Sequence, residues 1–443
     1  MEERNKPAVA LCDRGFLPDA ASAASSRGMP GVRSLGVIGS APVEEEIRSQ
    51  ITVAMDDIVA ALTRPLTQEE KHPGQQLEKS PGSVFKGSLK EVNRFFYRRG
   101  WTDGLPVIPP TPEEVAEMLT GTDLPREHIV GKLVPRLGKA TIEKIAINAV
   151  MAGALPTYLP VLIAGTQALL DAKMEYAVFG VSTGSWSPCW IINGPIRHDL
   201  HLNSGSGMLS PGDAANSAIG RAMGLIIKNI GGVRKGVEDM GVMGNPMKYS
   251  AVMAENEEES PWDPFHVERG LPKKDSAISG FFPNSYMQMI AYSADDKGIL
   301  STIVYNLGPG RRDGQTCVLL IPPHAKTLAS KGWTKQEIKE FIADNACVPY
   351  CHHPNYWGFF INESSKKRVP LNAQDPIRLL PSPDRIKLVV AGGPGGFMGI
   401  MRGSQFESGV RSSDFVTRKI ELPANWDKLV AKYKDVVPTY AKY

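Results

Sequence analysis

Apolar positions along the chain follow two kinds of spacing, and together they predict an α/β protein. Short apolar runs predict strands at residues 8–12, 31–39, 177–181, 189–192, 250–254, 316–321 and 386–391. Helical spacing predicts helices at residues 43–62, 89–99, 112–119, 141–153, 160–171, 214–229, 295–306 and 335–345. Strands that alternate with helices indicate an α/β fold. No internal repeat is visible in the sequence.

The first 66 residues predict only part of a sheet. They contain strands at 8–12 and 31–39 and one helix at 43–62, whose first turn carries Glu44, Glu45 and Glu46, as suits the helix dipole. Two strands and one helix cannot bury both faces of a parallel sheet. We therefore predict an incomplete, half Rossmann-like unit over residues 1–66, completed by another part of the chain or by another chain.

A linker is predicted at residues 67–88, where the sequence is polar and rich in Pro, Gly, Lys and Gln. The alternating strands and helices that follow predict a larger α/β domain over residues 89–443. We expect this domain to carry the substrate-binding and catalytic residues.

Composition and charge exclude several classes of protein. The chain has 50 Lys and Arg against 47 Asp and Glu, a net charge of +3, and it lacks a basic run suited to nucleic acid. Apolar stretches fall short of the roughly 20 residues that span a membrane. The N-terminus lacks the pattern of a secretory signal, and five cysteines are too few for a disulfide framework. These features predict a soluble cytoplasmic protein that does not bind nucleic acid.

An acidic run follows the strand predicted at 250–254, where α/β proteins gather ligand-binding groups. It contains Glu255, Glu257, Glu258 and Glu259. Crowded carboxylates raise each other's pKa, which suits one of them to act as a general acid or base. The alternative is a solvated acidic turn. The apolar and aromatic residues that surround the run favour the catalytic interpretation.

Small hydrogen-bonding residues are dense between residues 182 and 212. Asn193 and Asn203 are candidate catalytic residues, because Asn side chains and glycine-rich turns can stabilise an oxyanion. Candidate substrate-binding residues in and near this segment are Arg197, Ser204, Gly205, Asn216, Arg221 and Lys248. The alternative for the small residues is a set of tight turns that bind no ligand. The alternative for Arg197 and Lys248 is that they are ordinary exposed charges.

A second glycine-rich segment at 391–396 follows the last predicted strand. Gly393 and Gly395 could bring backbone N–H groups close to an anion, and they are candidate substrate-binding positions. The segment lacks the spacing of a dinucleotide site and of a phosphate-binding P-loop.

Cys347, Cys351, His352 and His353 offer thiolates and imidazoles to a metal ion. A structural zinc site usually combines a close Cys pair with a second ligand pair far away in sequence, whereas these residues are contiguous. The pattern therefore favours a turn at a helix end, with zinc binding as the alternative. The sequence assigns no cofactor to this chain.

Several segments resemble the UGSC-motif (seleno)protein family. Residues 6–17, 28–31 and 60–63 resemble the C-terminal half of its Rossmann-like domain, whose first half carries selenocysteine or cysteine followed by Gly-Ser-Cys. That family is distantly similar to the selenocysteine-bearing component of glycine reductase. The larger part of the chain resembles the long domain that accompanies such proteins, on segments 99–106, 193–197, 203–207, 254–262 and 391–395. The Cys-Gly-Ser-Cys motif itself is absent from this chain.

The missing motif implies either that a small partner subunit supplies the other half-domain with its Cys or Sec nucleophile, or that the function has been lost or changed. The incomplete sheet favours a partner. The resemblance then implies the large subunit of a heteromeric thiol- or selenol-dependent enzyme, an oxidoreductase or lyase acting on a small organic substrate. The alternatives are a non-catalytic binding or scaffold subunit and a stand-alone metal enzyme.

The place of the site follows from the same reasoning. Ligand sites in open α/β sheets lie beyond the carboxyl ends of the strands. We therefore expect Cys12 and Asp13 to lie close to the partner's nucleophile. The loops at 193–207 and 255–259 are predicted to line one cleft together with this turn.

Overall fold

The structure is a computed structural model that describes residues 7–14, 31–38, 44–71, 83–308, 315–352, 372–403 and 414–436, with residues 17, 20, 24, 29, 405–406 and 411–412 besides. Helices and mixed sheets alternate along the chain, so the fold is α/β as predicted. Within the described residues, every helix is too short or too polar to cross a membrane.

The N-terminal unit contains a two-stranded parallel sheet formed by β1 (Val9–Asp13) and β2 (Arg33–Ile38). Helices α1 (Glu44–Val53) and α2 (Met55–Thr63) follow, and both contact the sheet. The prediction of a single helix at 43–62 is wrong in one respect. The chain breaks at buried Ala54, which has φ −88° and ψ 1° and separates the two helices.

The predicted start of the linker is too early. Residues Gln68–Lys71 form a helical turn, α3, and its Glu70 accepts hydrogen bonds of 3.1 and 3.0 Å from Arg33 on β2. Arg33 also donates to the carbonyls of Ala61 and Arg64, each at 2.7 Å. Because one guanidinium ties this turn to the sheet, the N-terminal unit extends to residue 71.

The larger domain opens with helices and a hairpin. Its first elements are α4 (Leu89–Arg98), α5 (Pro112–Met118), β3 (Ile129–Leu133), β4 (Gly138–Thr141), α6 (Ile142–Ala152), α7 (Leu159–Leu169) and α8 (Tyr176–Phe179). The middle of the domain contains β5 (Cys189–Asn193), α9 (Ile196–Asp199), α10 (Ala214–Asn229), β6 (Val252–Ala254), α11 (Phe265–Glu268), β7 (Ala277–Phe281), β8 (Ser285–Ile290) and α12 (Asp296–Asn306).

The remaining elements complete a second sheet and its helices. They are β9 (Thr316–Leu320), α13 (Pro322–Ser330), α14 (Lys335–Asn345), β10 (Cys347–Pro349), β11 (Pro376–Arg378), β12 (Ile386–Val390), β13 (Phe397–Arg402), β14 (Gln405–Phe406), β15 (Arg411–Ser412), β16 (Val416–Lys419) and α15 (Trp426–Tyr433).

Two four-stranded sheets pack face to face between layers of helices. The first sheet has the order β16-β7-β5-β6 and the second β12-β9-β13-β8. Alternate residues of β5 show the layering: Trp190 and Ile192 pack against α6, α7 and α10, whereas Cys189 and Ile191 enter the core between the sheets. Helices α12, α13 and α14 cover the other face of the second sheet. The larger domain is therefore a four-layer α/β/β/α sandwich.

The two sheets repeat the same pairing pattern. In each, a parallel pair (β5 with β6, β9 with β12) is followed by two antiparallel pairings. The register repeats as well, since Cys189 lies opposite Phe281 and Cys317 lies opposite Met401. After β7 the chain enters the second sheet as β8, and after β13 it enters the first as β16. Each half thus gives its last strand to the other sheet, a repeat that the sequence pattern does not reveal.

The strand predicted at 177–181 is wrong. Tyr176–Phe179 forms one helical turn, α8, in which Tyr176 and Phe179 are both buried. A spacing of three places both rings on one side of a helix, where they stack on Phe282. The apolar run therefore reflects burial and not a strand.

Candidate functional site

The candidate site lies where the loops after β5, β6 and β12 meet. The N–H of Asn256, after β6, donates to the carbonyl of Val390 at the end of β12, with a distance of 2.8 Å. The N–H of Gly392 donates at 2.8 Å to the carbonyl of Ser204. These bonds join the two sheets at the carboxyl ends of their parallel strands. The loops at 193–207, 255–259 and 391–395 therefore form one region.

Asn193 holds two carboxylates together at the base of this region. Its Nδ2 donates to Glu255 Oε2 at 2.6 Å and to Glu257 Oε1 at 2.9 Å. Both amide hydrogens of Asn193 are donated to these carboxylates. The side chain therefore has no donor left for an oxyanion, contrary to the prediction. Its Oδ1 is buried without a hydrogen-bond partner among the described residues. Asn193 positions the carboxylates, and its free oxygen can only accept a hydrogen bond.

The local backbone requires glycine after Asn193. Gly194 has φ +85°, and a Cβ at this position would lie 2.3 Å from the carbonyl oxygen of Asp275. Its N–H donates to Glu257 Oε1 at 2.7 Å. The turn thus brings a backbone donor and the Asn193 amide to the same carboxylate.

Arg197 neutralises the carboxylates from the other side. The guanidinium is 5% exposed and forms an ion pair with Glu257 at 3.2 Å. It donates two hydrogen bonds to the Glu258 carboxylate, at 2.8 and 3.1 Å, in a bidentate arrangement. It also donates to the carbonyls of Gly194 and Glu255, at 3.0 and 2.8 Å. Arg197 is placed within the predicted cluster, but its donors are used by the protein itself.

Glu258 forms the solvent-facing end of the cluster. Its side chain is 52% exposed and receives a hydrogen bond of 2.8 Å from His198 Nε2 in addition to those from Arg197. The Arg197 hydrogen bonds lower the pKa of Glu258 to about 2. Glu258 is therefore ionised at neutral pH and is not a proton donor. Glu259 lies further out and forms an ion pair with Lys326 at 2.9 Å.

Glu255 forms the buried end. It is inaccessible to solvent, and burial raises the pKa of its carboxyl, with Lys335 Nζ at 3.8 Å opposing this shift. Oε2 accepts from Asn193 and from the N–H of Phe265, at 2.6 and 2.7 Å, whereas Oε1 lacks a hydrogen-bond partner among the described residues. Oε1 is the oxygen that faces the Lys335 ammonium.

His266 belongs to this cluster, although the sequence pattern did not single it out. The ring is fully buried, and its Nδ1 lies 3.9 Å from Glu257 Oε1. Burial lowers the pKa of His266, while Glu257 and the nearby backbone of Lys273 and Pro272 favour the charged form. Neither ring nitrogen makes a hydrogen bond of ordinary geometry within the described residues. The only available signal was its position eleven residues after Glu255, on the turn that also donates to that carboxyl.

Asn203 and Asn216 brace the neighbouring loop, which corrects their predicted roles. Asn203 donates to Asp213 Oδ2 at 2.8 Å and to the Ser206 carbonyl at 2.9 Å, and its Oδ1 accepts from Gly205 N–H. The Asn216 amide bonds to the backbone of Asn203, Met208 and Val252. Both side chains are saturated by these bonds, so they fix the loop and have no free donor for a substrate.

Two residues that were predicted to bind the substrate through a positive charge, Arg221 and Lys248, lie outside the acidic cluster. Arg221 forms an ion pair with Asp103 at 2.8 Å and donates to the Pro106 carbonyl, fastening segment 99–106 to helix α10. Lys248 forms an ion pair with Asp239. Each charge is neutralised by its own carboxylate, so neither belongs to the acidic cluster.

The second glycine-rich loop packs closely on the first. A Cβ on Gly393 would lie 1.8 Å from Ser206 Oγ, so only glycine permits this approach. Gly395 has φ +148°. Together with the bond from Gly392 to Ser204, this contact places the predicted substrate-binding positions Ser204, Gly205, Gly393 and Gly395 beside each other.

The remaining candidates belong to other elements, namely the N-terminal sheet, strand β10 and the turn that follows it. Cys12 lies opposite Gly36 and Asp13 opposite Ile38 in the N-terminal sheet. Within the described residues, which include Cys347, Cys351 and His352, no group of three or more His, Cys, Asp or Glu side chains is arranged to hold a metal ion. His353 lies outside the described residues.

No family model, curated protein or solved structure matches this chain.

Proposed function

We propose that this chain is the large subunit of a heteromeric enzyme that acts on a small organic molecule. It would supply acid and base groups, while a small partner subunit would supply a Cys or Sec nucleophile. The observation that carries the proposal is the buried pair Glu255 and Glu257, bridged by the single Asn193 amide nitrogen at the ends of two strands.

The two carboxylates have different environments, as an acid and a base need. Burial raises the pKa of Glu255, which makes its protonated form more accessible than that of an exposed carboxyl. Glu257 forms an ion pair with Arg197 at 3.2 Å and accepts a hydrogen bond from Gly194 N–H at 2.7 Å. Glu255 would donate a proton to a leaving group or developing anion, and Glu257 would accept one. Neutral His266, beside Glu257, would pass protons between the pair and the substrate.

The N-terminal unit supports the need for a partner. Its described part contains a parallel sheet of only two strands, with helices α1 and α2 in contact with it. Parallel sheets usually have more strands and are covered on both faces. The resemblance to the UGSC-motif family suggests that the missing half carries the nucleophile close to Cys12 and Asp13. The reaction would then be a thiol- or selenol-dependent oxidation–reduction or elimination.

Affinity purification from the source organism tests the assembly. The full chain should retain a second polypeptide in stoichiometric amount, and residues 83–443 alone should lose it. A full chain that purifies alone, as an active homomer, would overturn the proposal.

Substitution in the assembled protein separates an enzyme from a binding or scaffold subunit. Glu257→Gln keeps the size and hydrogen-bonding oxygen of the side chain and removes the base. Loss of turnover with assembly intact supports the acid–base role. Unchanged turnover would make the cluster a structural element and leave the chain a scaffold.

A further inference from the structure

A polar cavity of about 460 Å³ opens at the end of the strands opposite to the candidate site. It is lined by three cationic side chains, two carboxylates and two neutral polar residues: Arg269, Arg385, Lys387, Asp384, Asp414, Gln315 and Ser382. Gln315 directly precedes β9, and Lys387 is the second residue of β12, so the cavity lies at the amino ends of these strands. The candidate site lies beyond their carboxyl ends, and the cavity is therefore a separate feature.

Lys387 brings a buried positive charge to this cavity. Its neighbours Ile386 and Leu388 face the helices, so Lys387 points into the space between the sheets and is only 9% exposed. Its Nζ donates to the backbone carbonyl of Asp384. In the described parts of the chain, it forms no ion pair with a carboxylate. Burial lowers the pKa of Lys387, and the nearby carboxylates of Asp414 and Asp384 oppose this shift without reaching ion-pair distance.

A second cation in the cavity, Arg269, has guanidinium N–H groups that are not used by a carboxylate of the described part of the chain. Arg269 donates to the carbonyl of Phe415 at 2.8 Å and, over the described residues, forms no ion pair. The cavity therefore has three cationic side chains against two carboxylates, and this excess of positive charge suits an anion.

We propose that this cavity binds a small hydrophilic oxyanion that carries a phosphate or carboxylate group. Arg269 and Lys387 contact the anionic group. The volume falls within the range of ordinary small-molecule sites. Asp384 and Asp414, which also line the cavity, repel the anion and limit its affinity. This binding is independent of the proposed acid–base chemistry at the other end of the strands.

Isothermal titration calorimetry of the full chain tests the proposal, with inorganic phosphate and malate as the two probes. At least one probe should bind saturably, and the stronger one identifies the group as phosphate or carboxylate. Lys387→Met, which keeps the length of the side chain, should weaken binding at least tenfold. Asp414→Asn should tighten it at least threefold, because it removes repulsion and retains the oxygen that accepts from Phe415 N–H.

Lys428→Met provides the matched control, since Lys428 is exposed on helix α15. Its affinity for the probe should stay within twofold of the parent chain. Absence of saturable binding by both probes would overturn the proposal, and so would equal affinity in all variants. If Lys387→Met fails to fold, Asp414→Asn decides: unchanged or weaker binding contradicts the site.

Discussion

Replacing Arg197 by Met should destabilise the larger domain strongly. The guanidinium is 5% exposed, contacts Glu257 and Glu258, and donates to two backbone carbonyls. Glu257 is 9% exposed, so it would be left as a buried carboxylate without a cation. Removing one partner of a buried ion pair costs about 3–5 kcal/mol. The half-exposed contact with Glu258 adds about 0–1 kcal/mol.

Urea denaturation of the parent chain and the variant measures this loss as a difference in the free energy of unfolding. Arg126→Met is the matched control, because Arg126 forms an ion pair with Glu143 at 52% exposure. That change should cost about 0–1 kcal/mol. If the Arg197 variant loses no more than the control, Glu257 is not held as a buried anion and the charge assignment of the cluster is wrong.

Three other predictions concern the turn, the buried carboxyl and the exchanged strands. Gly194→Ala should cost about 1–3 kcal/mol more than Gly332→Ala in urea denaturation, because both have positive φ but only Gly194 faces a close backbone oxygen; equal losses would contradict this. Burial raises the pKa of Glu255 above the value of 4.5 that this carboxyl has in the unfolded chain. The stability that the carboxyl contributes is therefore present below pH 4.5 and is lost as the pH rises through its pKa in the folded state. Glu255→Gln should therefore gain stability relative to the parent chain between pH 5 and pH 9, and a constant difference in unfolding free energy would refute the shift. Finally, residues 83–293 expressed alone should give no cooperative unfolding transition, whereas co-expression with residues 294–443 should restore one, since each half gives a strand to the other sheet; an independently folded half would contradict the exchange.

Local patterns in the sequence predict many elements but not their arrangement. Helices Ala214–Asn229 and Lys335–Asn345 match their predicted bounds, because their apolar spacing and flanking residues are unambiguous. Strand Ala277–Phe281 was missed, since Ser279 and Gly280 interrupt its apolar run. The pairing of β8 and β16 with opposite sheets depends on contacts distant in sequence, which periodicity cannot show.

The candidate site was predicted in part. The run at 255–259 and the turn at 193–197 were singled out by composition, and the structure brings them into contact. The roles of individual residues depended on hydrogen bonds that only the fold supplies. Asn203 and Asn216 are saturated by backbone groups, and His266 enters the cluster through the turn that follows Glu255.

Labelling with iodoacetamide at pH 6, read by mass spectrometry, tests the central claim most directly. At this pH only a thiol or selenol of lowered pKa reacts quickly. Cys189 and Cys317 of this chain are buried, and burial raises the pKa of both thiols. In the complex purified from the source organism, we predict rapid labelling of one Cys or Sec on the second polypeptide. Rapid labelling confined to this chain, or the absence of a second polypeptide, would contradict the account.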